Sequence, residues 1–173
     1  MAPRVVLIGP PGSGKSSVAR TLAARLGVMP RDTDADVEAA AGRSVSDIFL
    51  VDGEPRFRAL EAAAVQAALI EHDGVLALGG GAVLDPAIER ALLDYRAGGG
   101  VVVFLDVSLT AAAPRVGLNT SRPLLVGNPR AQWRALMEAR RPVYERLASQ
   151  VVHTDDLRPH EVAERIITTM EAR

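Results

Sequence analysis

Residues 9–16, Gly-Pro-Pro-Gly-Ser-Gly-Lys-Ser, satisfy every fixed position of the pattern G-x-x-x-x-G-K-[ST]. The chemistry follows from the residue types. Gly12 and Gly14 can take backbone angles closed to side chains, so successive N–H groups can turn inward around an anion. Those donors, with Ser13 and Ser17 beside them and a helix N-terminus behind, suit a polyphosphate. Lys15 would reach its β- and γ-phosphates as a point charge, and the Ser16 hydroxyl would ligate Mg²⁺. A glycine-rich turn alone would carry little weight. Here residues 4–8, RVVLI, read as a buried strand, and Leu22, Ala23 and Leu26 recur at helical spacing after the loop.

Further along, several polar groups could serve a second substrate. Asp32 and Asp34 stand one residue apart at the end of a short second strand, where they would point the same way. One could hold Mg²⁺ through water and the other could orient or deprotonate a hydroxyl. The same acids also read as a helix N-terminal cluster, since Asp34 and Asp36 precede Val37, Ala40 and Ala41. Arg58 and Glu61, at i and i+3 on a helix, read by themselves as a solvated ion pair. Gly79, Gly80 and Gly81 follow a third strand, residues 74–78, and imply a backbone that is closely approached or sharply bent. At the carboxyl end of such a strand they read as a ligand floor. Arg115 and Arg122 are the only charges in the turn-rich stretch 114–128, which reads as a lid over the phosphates. Arg140 and Arg141 sit beside Pro142, a residue expected to interrupt the helix 131–147. From the residues alone either arginine could serve a site. His153 and His160 lack the neighbours of a metal site.

The elements needed to position these groups alternate strand and helix. Strands are expected at 4–8, before Asp32, and at 74–78, 101–106 and 150–153, with a short helical piece at 109–113 that Pro114 interrupts. The last helix is expected at 160–170. A chain of 173 residues suggests a single domain, 1–173. Such a domain buries about 70% of its unfolded surface. Apolar residues make up 48% and aromatics only 3%, so the core must be built from Ala, Val, Leu and Ile. There is no cysteine, hence no disulfide or thiolate metal site, and the net charge of −1 offers nothing to nucleic acid. No run is long enough to span a membrane. The first strand begins too early to leave room for a signal peptide, so the expectation is a soluble cytoplasmic protein. No coiled-coil heptad or apolar stripe points to assembly, and a monomer is expected.

Taken together, these motifs carry a resemblance that covers essentially the whole chain. Residues 9–17, Asp32-x-Asp34, Glu54-x-x-Phe57-Arg58-x-x-Glu61, Gly79-Gly80-Gly81, Arg122-Pro123-Leu124 and Arg140-x-Pro142-x-Tyr144 resemble the shikimate kinase family, in the nucleoside-monophosphate-kinase-like branch of P-loop proteins. The resemblance implies a three-layer α/β fold, with a five-stranded parallel sheet in the order 2-3-1-4-5, helices on both faces and a mobile lid. It implies Mg²⁺-dependent transfer of the ATP γ-phosphoryl group to the 3-hydroxyl of shikimate, on the route to chorismate and the aromatic amino acids.

The resemblance also implies roles. Gly12 to Ser17 would hold the ATP phosphates, with Ser16 on Mg²⁺ and Asp32 acting on it through water. Asp34 would bind the shikimate hydroxyls and act as base. Arg58 and Arg140 would hold the carboxylate, whose planar shape suits forked guanidinium donors. The Gly80 N–H would meet a ring hydroxyl between Gly79 and Gly81. Arg122 would come from the lid onto the phosphates, with Arg115 near the nucleotide and the 154–159 loop, ending in Pro159, against adenine. His153 stands where relatives often carry Asp. Two rivals remain at this point: another small P-loop kinase, such as a gluconate or nucleoside-monophosphate kinase, and a nucleotide-sensing module without an acceptor. The set Asp34, Arg58, triple glycine and Arg140 argues for a carboxylated, hydroxylated acceptor over both.

Overall fold

The computed structural model of the chain describes residues 1–117 and 127–173. The strands are β1 (Val5–Ile8), β2 (Pro30–Asp32), β3 (Val75–Ala77), β4 (Val102–Asp106) and β5 (Gln150–His153). They form one sheet in the order β2-β3-β1-β4-β5, and each neighbouring pair is parallel. Strands β1, β3 and β4 are buried along their whole length. That is why they read as unbroken apolar runs, with no polar alternation: both faces are covered by helices.

Alternate residues of these strands feed two cores. Val6, Ile8, Leu76, Val102 and Phe104 point to one face, where they meet α4 (Glu54–Glu71), α5 (Pro86–Ala97) and α7 (Pro129–Leu147). Val5, Leu7, Val75, Val103 and Leu105 point to the other, against α1 (Lys15–Leu26) and α8 (Pro159–Glu171). This is the period of 2 expressed in a sheet covered on both sides. A small third cluster, Val37, Ile48 and Phe57, joins α2 (Thr33–Ala41) and α3 (Val45–Val51) to α4. The cores are made mostly of Ala, Val, Leu and Ile, as the composition requires.

Two proline expectations are corrected. Helix α6 (Leu109–Arg115) runs through Pro114, and α7 runs through Pro142 to Leu147. A proline removes one N–H and leaves one carbonyl without its helical donor. In α7 this loss does not end the helix, because side chains on both sides of Pro142, Met137, Tyr144 and Leu147, are anchored in the core; α6 continues only one residue past Pro114. Pro86, Pro129 and Pro159 stand instead in the first turn of their helices, where a missing N–H costs nothing.

The parallel order puts every strand's carboxyl end on one edge of the sheet. The phosphate loop after β1, Asp32, the glycines after β3, Asp106 and His153 therefore share that edge.

Candidate active site

The loop 9–14 leads directly into α1, whose N-cap Gly14 has φ 88° and ψ 19°. Gly12 has φ +83° and lies so close to α6 that a methyl on it would meet Ala112 Cβ at 3.0 Å. Lys15 folds back over the loop: its Nζ donates to Gly9 O at 2.7 Å and Pro10 O at 3.1 Å. Burial lowers its pKa from 10.5 to about 8; Asp34 and Asp32 oppose this and Arg140 adds to it. The tip of the loop is tied to α7, since the Trp133 indole N–H donates to Pro11 O at 3.0 Å.

The two acids are arranged differently from the strand expectation. Only Asp32 belongs to β2. It is the N-cap of α2, and its Oδ1 accepts from the Asp34 N–H at 3.0 Å. Its Oδ2 accepts from Ser16 Oγ at 2.7 Å. Asp34 lies in the first turn of α2, so the helix start, not strand alternation, brings the pair together. The helix-cluster reading and the site reading are therefore both satisfied. Burial raises the Asp34 pKa above 3.8, with help from Asp32 and against Lys15. Ser16 and Asp32 present hard oxygen ligands beside the phosphate loop, a donor set that fits Mg²⁺ completed by phosphate oxygens and water. Among the described residues no cluster of three acids, histidines or cysteines offers a competing metal site.

Beyond Asp34 the three glycines form a floor into which side chains press. A methyl on Gly79 would lie 2.6 Å from Asp34 Oδ1 and 2.7 Å from Glu61 Oε2. A methyl on Gly81 would lie 2.6 Å from both terminal nitrogens of Arg58, and one on Gly80 would lie 3.3 Å from Arg140 Nη1. At Gly79 and Gly81 these groups crowd the place of a Cβ, and at Gly80 a Cβ would fit only tightly. Its N–H groups are not equivalent. That of Gly79 is taken by Thr33 Oγ1 at 3.1 Å, so Gly79 contributes space. Those of Gly80 and Gly81 have no hydrogen-bond acceptor among the described residues.

Arg58 and Glu61 are not a solvated surface pair. Glu61 is 1% exposed, and Arg58 Nη1 donates to its Oε1 at 2.7 Å. Burial raises the Glu61 pKa, and Arg58 opposes this. The two adjacent arginines of α7 part company. Arg140 faces the floor, whereas Arg141 turns to Asp106 at the end of β4. His153 joins Arg141 there, its Nδ1 3.0 Å from Asp106 Oδ2.

Arg115, in the last turn of α6, donates to Gly12 O at 3.1 Å and Thr154 O at 3.3 Å. It thereby clamps the 154–159 loop to the phosphate loop; Thr154 Oγ1 also reaches Ser13 O at 3.4 Å. Pro159 is an exposed first-turn residue of α8. Arg122, and with it the centre of the 114–128 stretch, lies outside the described residues. Lys15, Ser16, Ser17, Asp32, Asp34, Gly80 and Arg115 line a common cleft of about 400 Å³. By helical spacing Trp133 and Tyr144 read as apolar positions of the helix 131–147, and that spacing does not show that their polar ends meet the phosphate loop and the glycine floor. The sequence assigns nothing to Asp106. The aromatic residues' polar tips were the available signal, since a buried phenol or indole N–H needs a partner.

A phosphate loop feeding a cleft that ends in a second, arginine-flanked floor is the site of a P-loop kinase acting on a small-molecule alcohol. Comparison with known proteins makes this specific. The family profile described as shikimate kinase matches residues 11–171. A shikimate kinase of Streptomyces avermitilis is 54% identical over 171 residues, covering 99% of this chain and 97% of the relative. One of Streptomyces coelicolor is 52% identical over 172 residues, covering 99% and 98%. Among solved structures, the shikimate kinase of Acinetobacter baumannii in complex with shikimate superposes with a TM-score of 0.90 at 30% identity, covering 99% of this chain and 94% of that one. The chain belongs to the shikimate kinase family.

Proposed function

We infer that the chain is the ATP-dependent kinase that phosphorylates the 3-hydroxyl of shikimate, giving shikimate 3-phosphate and ADP for chorismate synthesis. The observation that carries this reading is the convergence of Asp34, Arg58 and Arg140 on the Gly79–Gly81 floor, at the end of the phosphate-loop cleft. One wall offers a carboxylate for a hydroxyl, and the others offer two guanidinium groups for a planar carboxylate.

The roles follow from position. The N–H groups of residues 12–17 and the Lys15 ammonium hold the phosphates of ATP. Mg²⁺ belongs on Ser16, with Asp32 acting through water, and when bound it neutralises charge on the β- and γ-phosphates. Asp34, made more basic by burial, takes the proton of the 3-hydroxyl as that oxygen attacks the γ-phosphorus. The bond from the γ-phosphorus to the bridging oxygen breaks, and ADP leaves with the electron pair. Arg58 and Arg140 fix the shikimate carboxylate, with Glu61 bracing Arg58, and the Gly80 N–H meets a ring hydroxyl. Arg115 and the 154–159 loop with Pro159 flank the nucleotide. Arg122 is assigned to the phosphates, and the 114–128 stretch to a lid, on the motif alone. A closing lid would keep water from the γ-phosphate.

We further propose a single domain spanning 1–173 that acts as a cytoplasmic monomer without nucleic-acid or membrane partners. No helix among the described residues is long and apolar enough to cross a membrane.

Product identification tests the chemistry. Phosphorus and proton NMR of the reaction with Mg-ATP should show one phosphate ester, coupled to the ring proton at carbon 3. Phosphate on another hydroxyl, or inorganic phosphate alone, would overturn the assignment.

A further inference from the structure

Tyr144 lies one helical turn after Arg140 on α7, with its ring in the core and its hydroxyl on the acceptor floor. The side chain is fully buried and stacks on Phe104 with ring centroids 5.0 Å apart. The hydroxyl donates to Gly80 O at 2.6 Å. Burial pushes the phenol up to about 12, against the nearby Arg140 charge, so it stays a donor throughout the working pH range.

Three glycines in a row have no side chains to hold their peptide planes, so each plane must be fixed by its own N–H or carbonyl. The plane before Gly79 is held by its N–H on Thr33 Oγ1. The Gly79–Gly80 plane is held by the Ala82 N–H on Gly79 O at 3.1 Å. The Gly81–Ala82 plane is held by the Leu84 N–H on Gly81 O at 3.1 Å. The plane between Gly80 and Gly81 has no backbone partner among the described residues. Among the described residues its one tie is the Tyr144 hydroxyl.

We propose that Tyr144 is a positioning residue of the acceptor site: its hydroxyl locks the Gly80–Gly81 peptide, so that the Gly81 N–H, beside the separately held Gly80 N–H, meets the bound acceptor in one orientation. In a trans peptide the carbonyl and the N–H point opposite ways, so fixing Gly80 O also fixes the direction of the Gly81 N–H. The same residue joins the floor to the helix that carries Arg140. The carboxylate arm and the hydroxyl floor are thereby held at one spacing, which is what discrimination among hydroxylated cyclic acids requires. This inference rests on the shikimate-kinase reading of the site.

The test is Tyr144→Phe, which keeps the ring and its stack and removes the hydroxyl alone. Loss of one buried hydrogen bond predicts a shikimate KM raised about five- to tenfold, with the ATP KM within about twofold of wild type. The wild-type preference for shikimate over 4-deoxy- and 5-deoxyshikimate should shrink in the variant, since a loosened floor gains less from a ring hydroxyl. Phe104→Leu serves as control: it removes the stack, lowers Tm and leaves the shikimate KM near wild type. An unchanged shikimate KM in Tyr144→Phe would overturn the proposal. So would parallel rises in both substrate KM values, or an equal rise in Phe104→Leu, because packing would then be responsible. Failure of the wild-type protein to phosphorylate shikimate would instead sink the functional reading, and is seen before any variant is made.

Discussion

Arg141 and Asp106 are joined by two parallel hydrogen bonds, Nη1 to Oδ2 at 3.0 Å and Nη2 to Oδ1 at 2.9 Å. This pairing divides the work of two adjacent arginines. Asp106 is 7% exposed at the end of β4, and its carbonyl also accepts the Thr154 N–H at 2.9 Å. Arg141 therefore anchors α7 to the sheet, and Arg140 is left to face the glycine floor. The two alanine variants should fail differently. Arg141→Ala leaves a nearly buried carboxylate with His153 alone beside it and should lower stability in urea by roughly 1–3 kcal/mol, below the range of about 3–5 for a fully buried pair because Arg141 is itself partly exposed. Arg140→Ala should leave stability near wild type and raise the shikimate KM about tenfold or more, as expected for a lost charge-assisted contact. Urea titration and steady-state kinetics on both variants check this, and exchanged phenotypes would reverse the assignment.

Asp34→Asn removes the base but keeps the shape. Turnover should fall by about 10²- to 10⁴-fold, the usual range for a general base, while ATP affinity changes little. The wild-type rate should fall as the pH drops through the raised Asp34 value, above the ordinary 3.8, because the protonated carboxyl accepts no proton. The residual rate of the variant should lack that acid limb. A pH profile of kcat on both proteins measures it.

Gly79→Ala is the smallest change that should disable the acceptor site. Its methyl would meet the Asp34 and Glu61 carboxylates at 2.6 and 2.7 Å, and Glu61 is held in place by Arg58. The variant should bind ATP normally and lose at least about tenfold in kcat/KM for shikimate, as a misplaced base and a displaced arginine brace predict. Normal kinetics would mean that the carboxylates can move aside freely.

Lys15 gives a pH dependence at the alkaline end. Its folded value of about 8 lies below the ordinary 10.5, so between these values the unfolded chain binds the proton more tightly. Stability should therefore rise with pH across that window as far as Lys15 is concerned. ATP affinity should move the other way. Phosphates need the charged ammonium, so the ATP KM should climb above pH 8, by up to about tenfold per pH unit. An ATP KM that stays flat from pH 7 to 9.5 would contradict this.

Much of the site was legible because its chemistry is written in contiguous patterns. The phosphate loop is one such pattern, and the three glycines declare a close approach without saying what approaches. What the pattern leaves out depends on packing across the sheet. The i, i+3 spacing of Arg58 and Glu61 is the same on a surface and in a core; what differs here is that Glu61 is buried against the glycine run while Arg58 stays partly exposed. Asp32 and Asp34 looked like neighbours on a strand because β2 is so short, with Asp32 capping the next helix. The division of labour between Arg140 and Arg141 requires knowing that Asp106 sits opposite, 35 residues away in sequence. The polar ends of Tyr144 and Trp133 were hidden by the apolar bodies that place them on α7. The local cost of Pro142 is visible in the sequence, whereas the core contacts of Met137, Tyr144 and Leu147 that carry α7 through it are not.

The most direct measurement is ADP release from Mg-ATP by the purified protein, with shikimate, quinate, gluconate or no acceptor present. Release should be rapid with shikimate, matched mole for mole by phosphoshikimate, and slow otherwise. Release at the same slow rate with every acceptor would contradict the kinase assignment and leave a nucleotide-hydrolysing or nucleotide-sensing module in its place.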